Sequence, residues 1–368
     1  MSGAIRIKVR WAVSGCSLID IQAQGGDTVR QLEQKVIPRV GAGNTVKLLF
    51  EGRVLAPQER LLAAGLRNDS ILDVICRQSQ VFTASTDTSI KMWGTSQGEC
   101  QGTLLGHGGA VTCLALSADN QRLVSGSEDC TARIWDLESL QCTSILAEHF
   151  DAIHDVAFSP DQKLVVTGGA DRVAILWSAD GQPQVALEGH IGAIQAVAFS
   201  PAGATILTAS LDCSVRYWST RTGVCVMAVH AHERGVYSGS FSSDGTLVLT
   251  SSADGSLRVW KAGVEKPRTI AAHSGCVYAV AFSPNGRQAI SCGWDRQAKI
   301  WDLVSGRCLQ VLRDTGAIYS ACFSQDGTTV LTAGKDCSPK IWSVSSGELL
   351  LTLRGHDGPV MRAAFTNA

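Results

Sequence analysis

Aspartate, serine or threonine, and histidine recur along the chain at nearly constant spacing, and together they are the residue types of a hydrolase triad. An aspartate stands six residues before each of seven tryptophans, and a serine or threonine stands four residues before each aspartate. The aspartates are Asp87, Asp129, Asp171, Asp212, Asp254, Asp295 and Asp336. The hydroxyl residues are Thr83, Ser125, Thr167, Thr208, Thr250, Ser291 and Thr332. Seven equivalent sets, most of them with threonine, favour a structural network over one activated nucleophile.

Other catalytic and metal-binding patterns are missing from the sequence. It contains no G-x-S-x-G elbow, P-loop or H-E-x-x-H motif. The 13 cysteines form no CxxC pair and are odd in number, which argues against a zinc site and a disulfide framework. Several of them, such as Cys130, Cys213 and Cys337, follow a turn aspartate and are expected to be reduced, small apolar residues. We therefore predict a protein that is not an enzyme and has no catalytic, cofactor-binding or metal-binding residues.

The seven tryptophans define an internal repeat. Their successive spacings are 42, 42, 41, 42, 41 and 41 residues, and they are Trp93, Trp135, Trp177, Trp218, Trp260, Trp301 and Trp342. Between them lie segments such as VAFSPDQK and VAFSPNGR, in which an alternating apolar run ends in turn-forming residues. About four short strands fit into each repeat. The pattern predicts an all-β architecture in which each repeat buries one face against the next.

The repeat resembles the WD-repeat (WD40) family. The resemblance rests on IWD sequences at Trp135-Asp136 and Trp301-Asp302, and on Gly-His pairs ending at His107, His190 and His356. It implies a seven-bladed WD40 β-propeller over residues 80–368, in which a histidine donates to the turn aspartate and the hydroxyl residue and tryptophan complete a buried network. The first five sets that the family pattern assigns are His107–Ser125–Asp129–Trp135, His149–Thr167–Asp171–Trp177, His190–Thr208–Asp212–Trp218, His232–Thr250–Asp254–Trp260 and His273–Ser291–Asp295–Trp301.

The sixth set departs from this pattern, because Asp314 stands where the histidine is expected. It accompanies Thr332, Asp336 and Trp342. An acid facing Asp336 would be repelled unless one carboxyl is protonated or Asp314 turns outward. We expect Asp314 to face solvent in a loosened blade, with a charge that faces a partner as the alternative.

The seventh set is circular and predicts how the propeller closes. The residues after His356, up to the end of the chain, form one strand, and the first repeat lacks that innermost strand. The closing blade is therefore shared by residues 80–106 and 359–366, and His356 completes the set of Thr83, Asp87 and Trp93. Pairing these segments would hide two strand edges that are otherwise prone to aggregation.

Residues 4–77 form a separate unit. IRIKVRW and SLIDIQAQ predict a hairpin, TVRQLEQKVI predicts a helix that ends before Pro38 with Asp27 as its N-cap, and the strands VKLLFEGRVL and SILDVI follow. This order resembles ubiquitin, and implies a small α+β ubiquitin-like (β-grasp) domain. The last strand runs into the next unit without a Gly-Gly end, so the domain is not expected to be conjugated to other proteins.

The resemblance also places a candidate partner-binding patch on this domain. Ubiquitin's recognition patch corresponds here to Leu49, Ile75 and either Ala12 or Val13. Two interpretations stay open for these residues, namely docking of a partner or packing against the propeller.

A second candidate partner site lies on the propeller. Five residues after each histidine position, the family places a side chain on the channel rim, on the face that carries the histidine and aspartate loops. Three of the four tyrosines fall there, and the residue before the turn aspartate shares that face. The sequence therefore predicts an aromatic arc beside Lys335, suited to proteins or peptides, formed by Tyr237, Tyr278, Trp294 and Tyr319. The alternative is that these rings only fill the channel mouth.

Charge and hydropathy limit the other partners. Lys and Arg number 32 against 33 Asp and Glu, so no nucleic acid or anionic membrane is expected as a partner. No apolar stretch approaches the roughly 20 residues of a membrane helix, and the first residues alternate charged and apolar types. We predict a cytoplasmic location, with cytoskeletal or ciliary assemblies as candidate settings.

Three functions follow from these features. The first is a non-enzymatic scaffold, a structural subunit of a cytoplasmic multiprotein assembly of the cytoskeletal or ciliary kind. The second is a substrate receptor or adaptor in the ubiquitin-proteasome system, although the W-D-x-R box of many cullin-ligase receptors is missing. The third is a ribosome-assembly factor of the Notchless type, which the balanced charge does not support.

Overall fold

The computed structural model describes residues 4–11, 17–24, 26–40, 44–51, 53–56, 58–78, 80–261 and 266–366. The chain divides after Ser79 into two compact units, and each is described by itself.

In its described residues, the N-terminal unit is a mixed sheet with one helix. Its elements are β1 (Ala4–Trp11), β2 (Ser17–Gln24), α1 (Val29–Val40), β3 (Asn44–Phe50), β4 (Arg53–Val54) and β5 (Ser70–Gln78). The strand order is β2-β1-β5-β3-β4, in which β1 and β5 are parallel and the other pairs are antiparallel. Alternate strand residues such as Ile7, Val9 and Leu72 pack with Leu32 and Val36 of the helix in one buried core.

Helix α1 differs from its prediction at both ends. Thr28 is the N-cap, not Asp27, because the Thr28 amide donates to Oε1 of Gln31 and the Gln31 amide donates to Oγ1 of Thr28. Asp27 instead accepts from the amide of Gln24 and from Nζ of Lys35. The helix continues through Pro38 to Val40, so the proline costs it one backbone hydrogen bond without ending it.

The second unit consists, within the described residues, of seven four-stranded antiparallel sheets, each named here after its repeat tryptophan. The first strand of each sheet, called its inner strand, is short and largely apolar. The inner strands are β9 (Val111–Leu116), β13 (Ile153–Phe158), β17 (Ile194–Phe199), β21 (Val236–Phe241), β25 (Val277–Phe282), β29 (Ile318–Phe323) and β33 (Val360–Phe365). The second strands are β6 (Gln80–Ser85), β10 (Arg122–Ser127), β14 (Leu164–Gly169), β18 (Thr205–Ser210), β22 (Leu247–Ser252), β26 (Gln288–Gly293) and β30 (Thr329–Gly334).

The third and fourth strands complete each sheet toward solvent. The third strands, which carry the tryptophans, are β7 (Ile90–Gly94), β11 (Ala132–Asp136), β15 (Ala174–Ser178), β19 (Ser214–Ser219), β23 (Ser256–Lys261), β27 (Gln297–Asp302) and β31 (Lys340–Ser343). The fourth strands are β8 (Cys100–Leu104), β12 (Gln141–Leu146), β16 (Pro183–Leu187), β20 (Cys225–His230), β24 (Arg268–Ala271), β28 (Cys308–Arg313) and β32 (Leu349–Thr352).

The inner strands form a closed ring. Each contacts the inner strand of the next sheet, and β33 contacts both β29 and β9. The Trp93 sheet has the order β33-β6-β7-β8, with Val360 opposite Ser85 and Phe365 opposite Val81. One sheet is therefore built from segments near the two ends of the unit, and apolar residues of neighbouring sheets fill the space between them.

Candidate functional site

Each repeat set forms a hydrogen-bonded chain of four side chains. In the Trp177 sheet, the indole Nε1 of Trp177 donates to Oγ1 of Thr167 over 2.9 Å, and that hydroxyl lies 2.7 Å from Nε2 of His149. Nδ1 of His149 lies 2.7 Å from Oδ2 of Asp171. With a neutral imidazole protonated at Nδ1, every group finds a donor or an acceptor.

The same contacts recur in five further sheets, including the Trp93 sheet, where His356 joins Thr83 and Asp87. The histidine side chains are essentially inaccessible to solvent. A hydroxyl that is buried and shared between an indole and an imidazole has no open approach for a substrate, which fits a structural network better than a triad.

Burial and hydrogen bonding shift the pKa values of these groups in a consistent way. Burial lowers the pKa of the histidine below its usual value, although the aspartate partner acts to raise it, at His107, His190, His232, His273 and His356. Burial acts to raise the aspartate pKa, but hydrogen bonds from the hydroxyl two residues later and from the histidine outweigh it and lower the pKa of Asp87, Asp129 and Asp212 to about 2. Both shifts favour a neutral imidazole beside a charged carboxylate.

The Trp342 sheet replaces this network with an ion-paired one, so the expectation that Asp314 faces solvent is wrong. The Asp314 side chain is only 5% exposed, and its Oδ1 lies 2.6 Å from Nζ of Lys340. The same ammonium group also pairs with Oδ2 of Asp336. Burial raises the pKa of Asp314, whereas at Asp336 the hydrogen bond from Lys340 outweighs burial and lowers the pKa. A lysine between the two carboxylates therefore removes the repulsion without turning Asp314 outward.

The position of Lys340 in the repeat could have been recognised from the sequence. A basic residue stands four positions after the turn aspartate in most repeats. In the Trp260 and Trp301 sheets, Arg258 and Lys299 donate to the backbone carbonyls of Ala231 and Ala272. Lys340 occupies the equivalent position and binds two carboxylates, which only the presence of Asp314 makes possible.

The end of the second unit that carries the turn aspartates and the histidine connections is called the loop face. Three tyrosines are the second residues of consecutive inner strands at this end. The rings of Tyr237 and Tyr278 lie 5.3 Å apart at 82°, and those of Tyr278 and Tyr319 lie 5.4 Å apart at 73°. These edge-to-face contacts join the three rings in one half-buried row, called the tyrosine row.

Trp294 departs from the predicted arc. Across the described part of the chain, no ring contact joins it to the tyrosine row, and its side chain is 58% exposed. It lines a cleft of about 410 Å³ together with Arg296, Thr315, Gly316, Ala317, Lys335 and Asp336. The structure thus separates the predicted residues into the tyrosine row and a cleft that holds Trp294 and Lys335.

Two residues on the loop face were missed by sequence reasoning. Phe150 and Ile191 are 93% and 81% exposed, although both are large and apolar. Each follows a repeat histidine, and its amide donates to the turn aspartate, Asp171 or Asp212. The other repeats carry a small, polar or acidic residue at this position. A large apolar residue there in two consecutive repeats was therefore the signal that the sequence offered.

An ion pair joins a buried aspartate and a half-buried arginine on two inner strands that are separated by β9. Arg362, the third residue of β33, lies 3.7 Å from Oδ1 of Asp155, the third residue of β13. Oδ2 of Asp155 accepts from the amide of Val197, while Oδ1 has no hydrogen bond. Burial raises the pKa of Asp155, and the attraction of Asp155 raises that of Arg362. No local sequence pattern pointed to this pair.

Of the N-terminal candidates, only the side chain of Leu49 is described. Leu49 is opposite Asp73 in the sheet, on the face opposite to that of its buried neighbour Leu48. Ile75 belongs to β5, where its backbone is opposite Lys47, and its side chain lies outside the described part of the chain. Leu49 is half-buried. Ala12 and Val13 lie outside the described residues.

Neither a metal-binding cluster nor a membrane-spanning helix occurs among the described residues. Among them, no group of three or more His, Cys, Asp or Glu side chains could hold a metal ion. None of the described helices has the length and apolar character needed to cross a membrane.

Comparison with known families agrees with the repeat and its geometry. Residues 98–136 match the family model described as "WD domain, G-beta repeat". The IFT122 first beta-propeller matches residues 144–368, which is more than half of the chain. No curated protein matches the sequence. The four-stranded sheets, the closed ring and the match over most of the second unit show that the chain belongs to the IFT122 first beta-propeller family.

Proposed function

We propose that the protein is a non-enzymatic scaffold that binds other proteins through its loop face. The observation that carries this proposal is the set of large side chains left accessible at that face, namely Trp294, Phe150 and Ile191. Accessible aromatic and apolar residues of this kind are typical of protein interfaces. The buried hydroxyl–imidazole chains of the repeats support a structural role for the polar sets.

We also propose the finer architecture that the sequence predicts. The seven four-stranded sheets correspond to the seven blades of a WD40 propeller, closed by β33. The N-terminal unit, with its five strands and one helix, corresponds to a ubiquitin-like domain that offers a second docking surface around Leu49 and Ile75.

The setting we propose is a cytoplasmic assembly connected with intraflagellar transport. The support is the match to the IFT122 first beta-propeller over residues 144–368. Cofractionation of the endogenous protein by size tests this setting. We expect it in a large ciliary complex, whereas exclusive comigration with proteasomes or pre-ribosomes would favour the ubiquitin or ribosome-assembly alternatives.

A double variant tests the loop face directly. Tyr278→Ala with Trp294→Ala should still fold but lose partners in a pull-down, because truncating an interface aromatic can cost about 2 kcal/mol or more of binding free energy. Val304→Ala is a matched control, since Val304 is 81% exposed in the turn between β27 and β28, away from the loop face. Retention of every partner by the folded double variant would contradict the proposal.

A further inference from the structure

The cleft beside Trp294 is formed by three loops of two neighbouring sheets. Trp294 and Arg296 lie in the turn between β26 and β27, and Lys335 and Asp336 lie in the turn between β30 and β31. The connection from β28 to β29 supplies Thr315, Gly316 and Ala317. The volume of about 410 Å³ is within the range of specific ligand pockets and can hold one large side chain with its adjoining backbone.

The apolar wall of the cleft is held in place by close packing. A β-carbon on Gly275 would lie 3.4 Å from Cβ of Trp294, so the tryptophan rests directly on this glycine. A β-carbon on Gly293, at the end of β26, would lie only 2.3 Å from the carbonyl oxygen of Cys276. Because both glycines allow this close approach, the turn presents a tryptophan that packs on the glycine backbone and is still 58% exposed.

The polar wall of the cleft is cationic. Arg296 and Lys335 are both exposed, and neither forms an ion pair within the described residues. The nearby acids are largely buried, since the side chains of Asp295, Asp314 and Asp336 are 8%, 5% and 18% exposed, and each is hydrogen-bonded to His273 or Lys340. The exposed charged side chains of the cleft are therefore Arg296 and Lys335, which lie beside an exposed indole.

We infer that this cleft binds an acidic peptide segment in which an aromatic or aliphatic residue stands next to aspartate or glutamate. The apolar side chain would pack on Trp294, and the neighbouring carboxylates would pair with Arg296 and Lys335. This inference rests on the proposed scaffold function and adds the chemistry of one partner segment.

Selection from a library of random 12-residue peptides displayed on phage tests the inference on the full-length protein. We expect the enriched peptides to combine acidic residues with an aromatic or aliphatic residue. Enrichment of basic or neutral peptides, or of none, would overturn the inference.

Affinity measurements on the most enriched peptide then locate its site. Trp294→Ala and the double charge reversal Arg296→Glu with Lys335→Glu should each weaken binding at least tenfold, and the wild-type affinity should fall as salt is raised. Lys163→Glu is the matched control, because Lys163 is exposed in the turn between β13 and β14, at the opposite end of the inner strands. It should leave binding unchanged, and equal losses in the control and the charge reversal would overturn the inference.

A further variant separates failure of this inference from failure of the scaffold proposal. If peptide binding depends on Phe150→Ala and not on Trp294→Ala, the loop face binds partners but the assigned cleft is wrong. If the Tyr278→Ala, Trp294→Ala variant keeps all its cellular partners while the selected peptide binds the cleft, the scaffold proposal fails and the peptide chemistry stands.

Discussion

At the scale of single residues, Lys340 replaces the function of a repeat histidine by bridging two carboxylates. Removing its charge in Lys340→Met should leave Asp314 and Asp336 facing each other in a largely buried site, with a loss of about 3 kcal/mol of unfolding free energy. Chemical denaturation of the variant and of the wild-type protein measures this loss.

The control for that change is Lys299→Met in the neighbouring sheet. Lys299 occupies the same repeat position but donates to one backbone carbonyl, that of Ala272, so its loss should cost only about 1 kcal/mol. Equal effects of the two substitutions would contradict the bridging role of Lys340.

Arg362 and Asp155 provide a second residue-scale prediction. In Arg362→Met, Asp155 stays buried without its cation, and the loss should be about 1–2 kcal/mol near pH 7, less than for a fully buried pair because the Arg362 side chain is 38% exposed. Burial already holds the folded-state pKa of Asp155 above 3.8, and loss of Arg362 raises it further. A carboxyl with a raised pKa contributes stability at low pH that disappears as the pH rises through the folded-state pKa.

Thermal melting of Arg362→Met at pH 5 and pH 7 checks that sign. The variant should lose less stability, relative to wild type, at pH 5. The double variant Asp155→Asn with Arg362→Met removes both charges and should recover much of the loss at pH 7. No recovery would show that the arginine acts through packing instead of charge.

At the scale of the element, the histidine connections make the sheets sensitive to acid. Burial places the folded-state pKa of five histidines below 6.5, so the unfolded chain binds more protons as the pH falls through 6.5. This contribution to stability is therefore present above about pH 6.5 and should be lost as the pH falls below 6.5 through the folded-state pKa values. The carboxylates with a pKa of about 2 add a second decline below pH 3.8.

Urea midpoints measured across these two ranges test the prediction. His356→Gln removes one of the titrating groups and should reduce the slope between pH 7 and pH 5.5. A midpoint that rises on acidification over that interval would contradict the assignment of neutral, buried histidines.

The N-terminal sheet has one face that packs against helix α1 and a second face on the opposite side. Leu49→Asp should leave the melting temperature unchanged and abolish binding of a partner, because Leu49 is only half-buried on the face that does not contact α1. Leu48→Asp, at a fully buried neighbouring position, should instead unfold this unit. A destabilised Leu49→Asp variant would favour a packing role, and an unaffected one would exclude both interpretations.

At the scale of the whole molecule, the closure of the ring depends on one short strand. Deleting residues 357–368 removes β33, exposes the edge of β6 and breaks the inner-strand contacts with β29 and β9. The thermal transition of the second unit should therefore shift strongly downward, because every sheet relies on its neighbours for burial.

His356→Ala is the milder comparison, with an expected loss of about 1–3 kcal/mol from unpaired groups around Thr83 and Asp87. An unchanged transition in the deletion variant would show that β33 does not hold the ring closed.

The sequence by itself determined the repeat, the strand-turn-strand pattern and the membership of most polar sets. These features depend on spacing within one repeat, where Asp171, Thr167 and Trp177 are brought together by adjacent strands of the same sheet. The end of helix α1 was less predictable, because Thr28 and Asp27 are both good caps and only the contacts of Gln31 and Gln24 distinguish them.

Tertiary structure alone decided the features that join different sheets or different loops. Arg362 and Asp155 meet because the ring brings β33 near β13, and no local pattern records that proximity. Trp294 is outside the tyrosine row because it belongs to the turn after β26 and packs on Gly275, whereas the three tyrosines are on the inner strands themselves and contact one another. Asp314 was misjudged because an isolated acid is expected to seek water, while the fold places a lysine amine between it and Asp336.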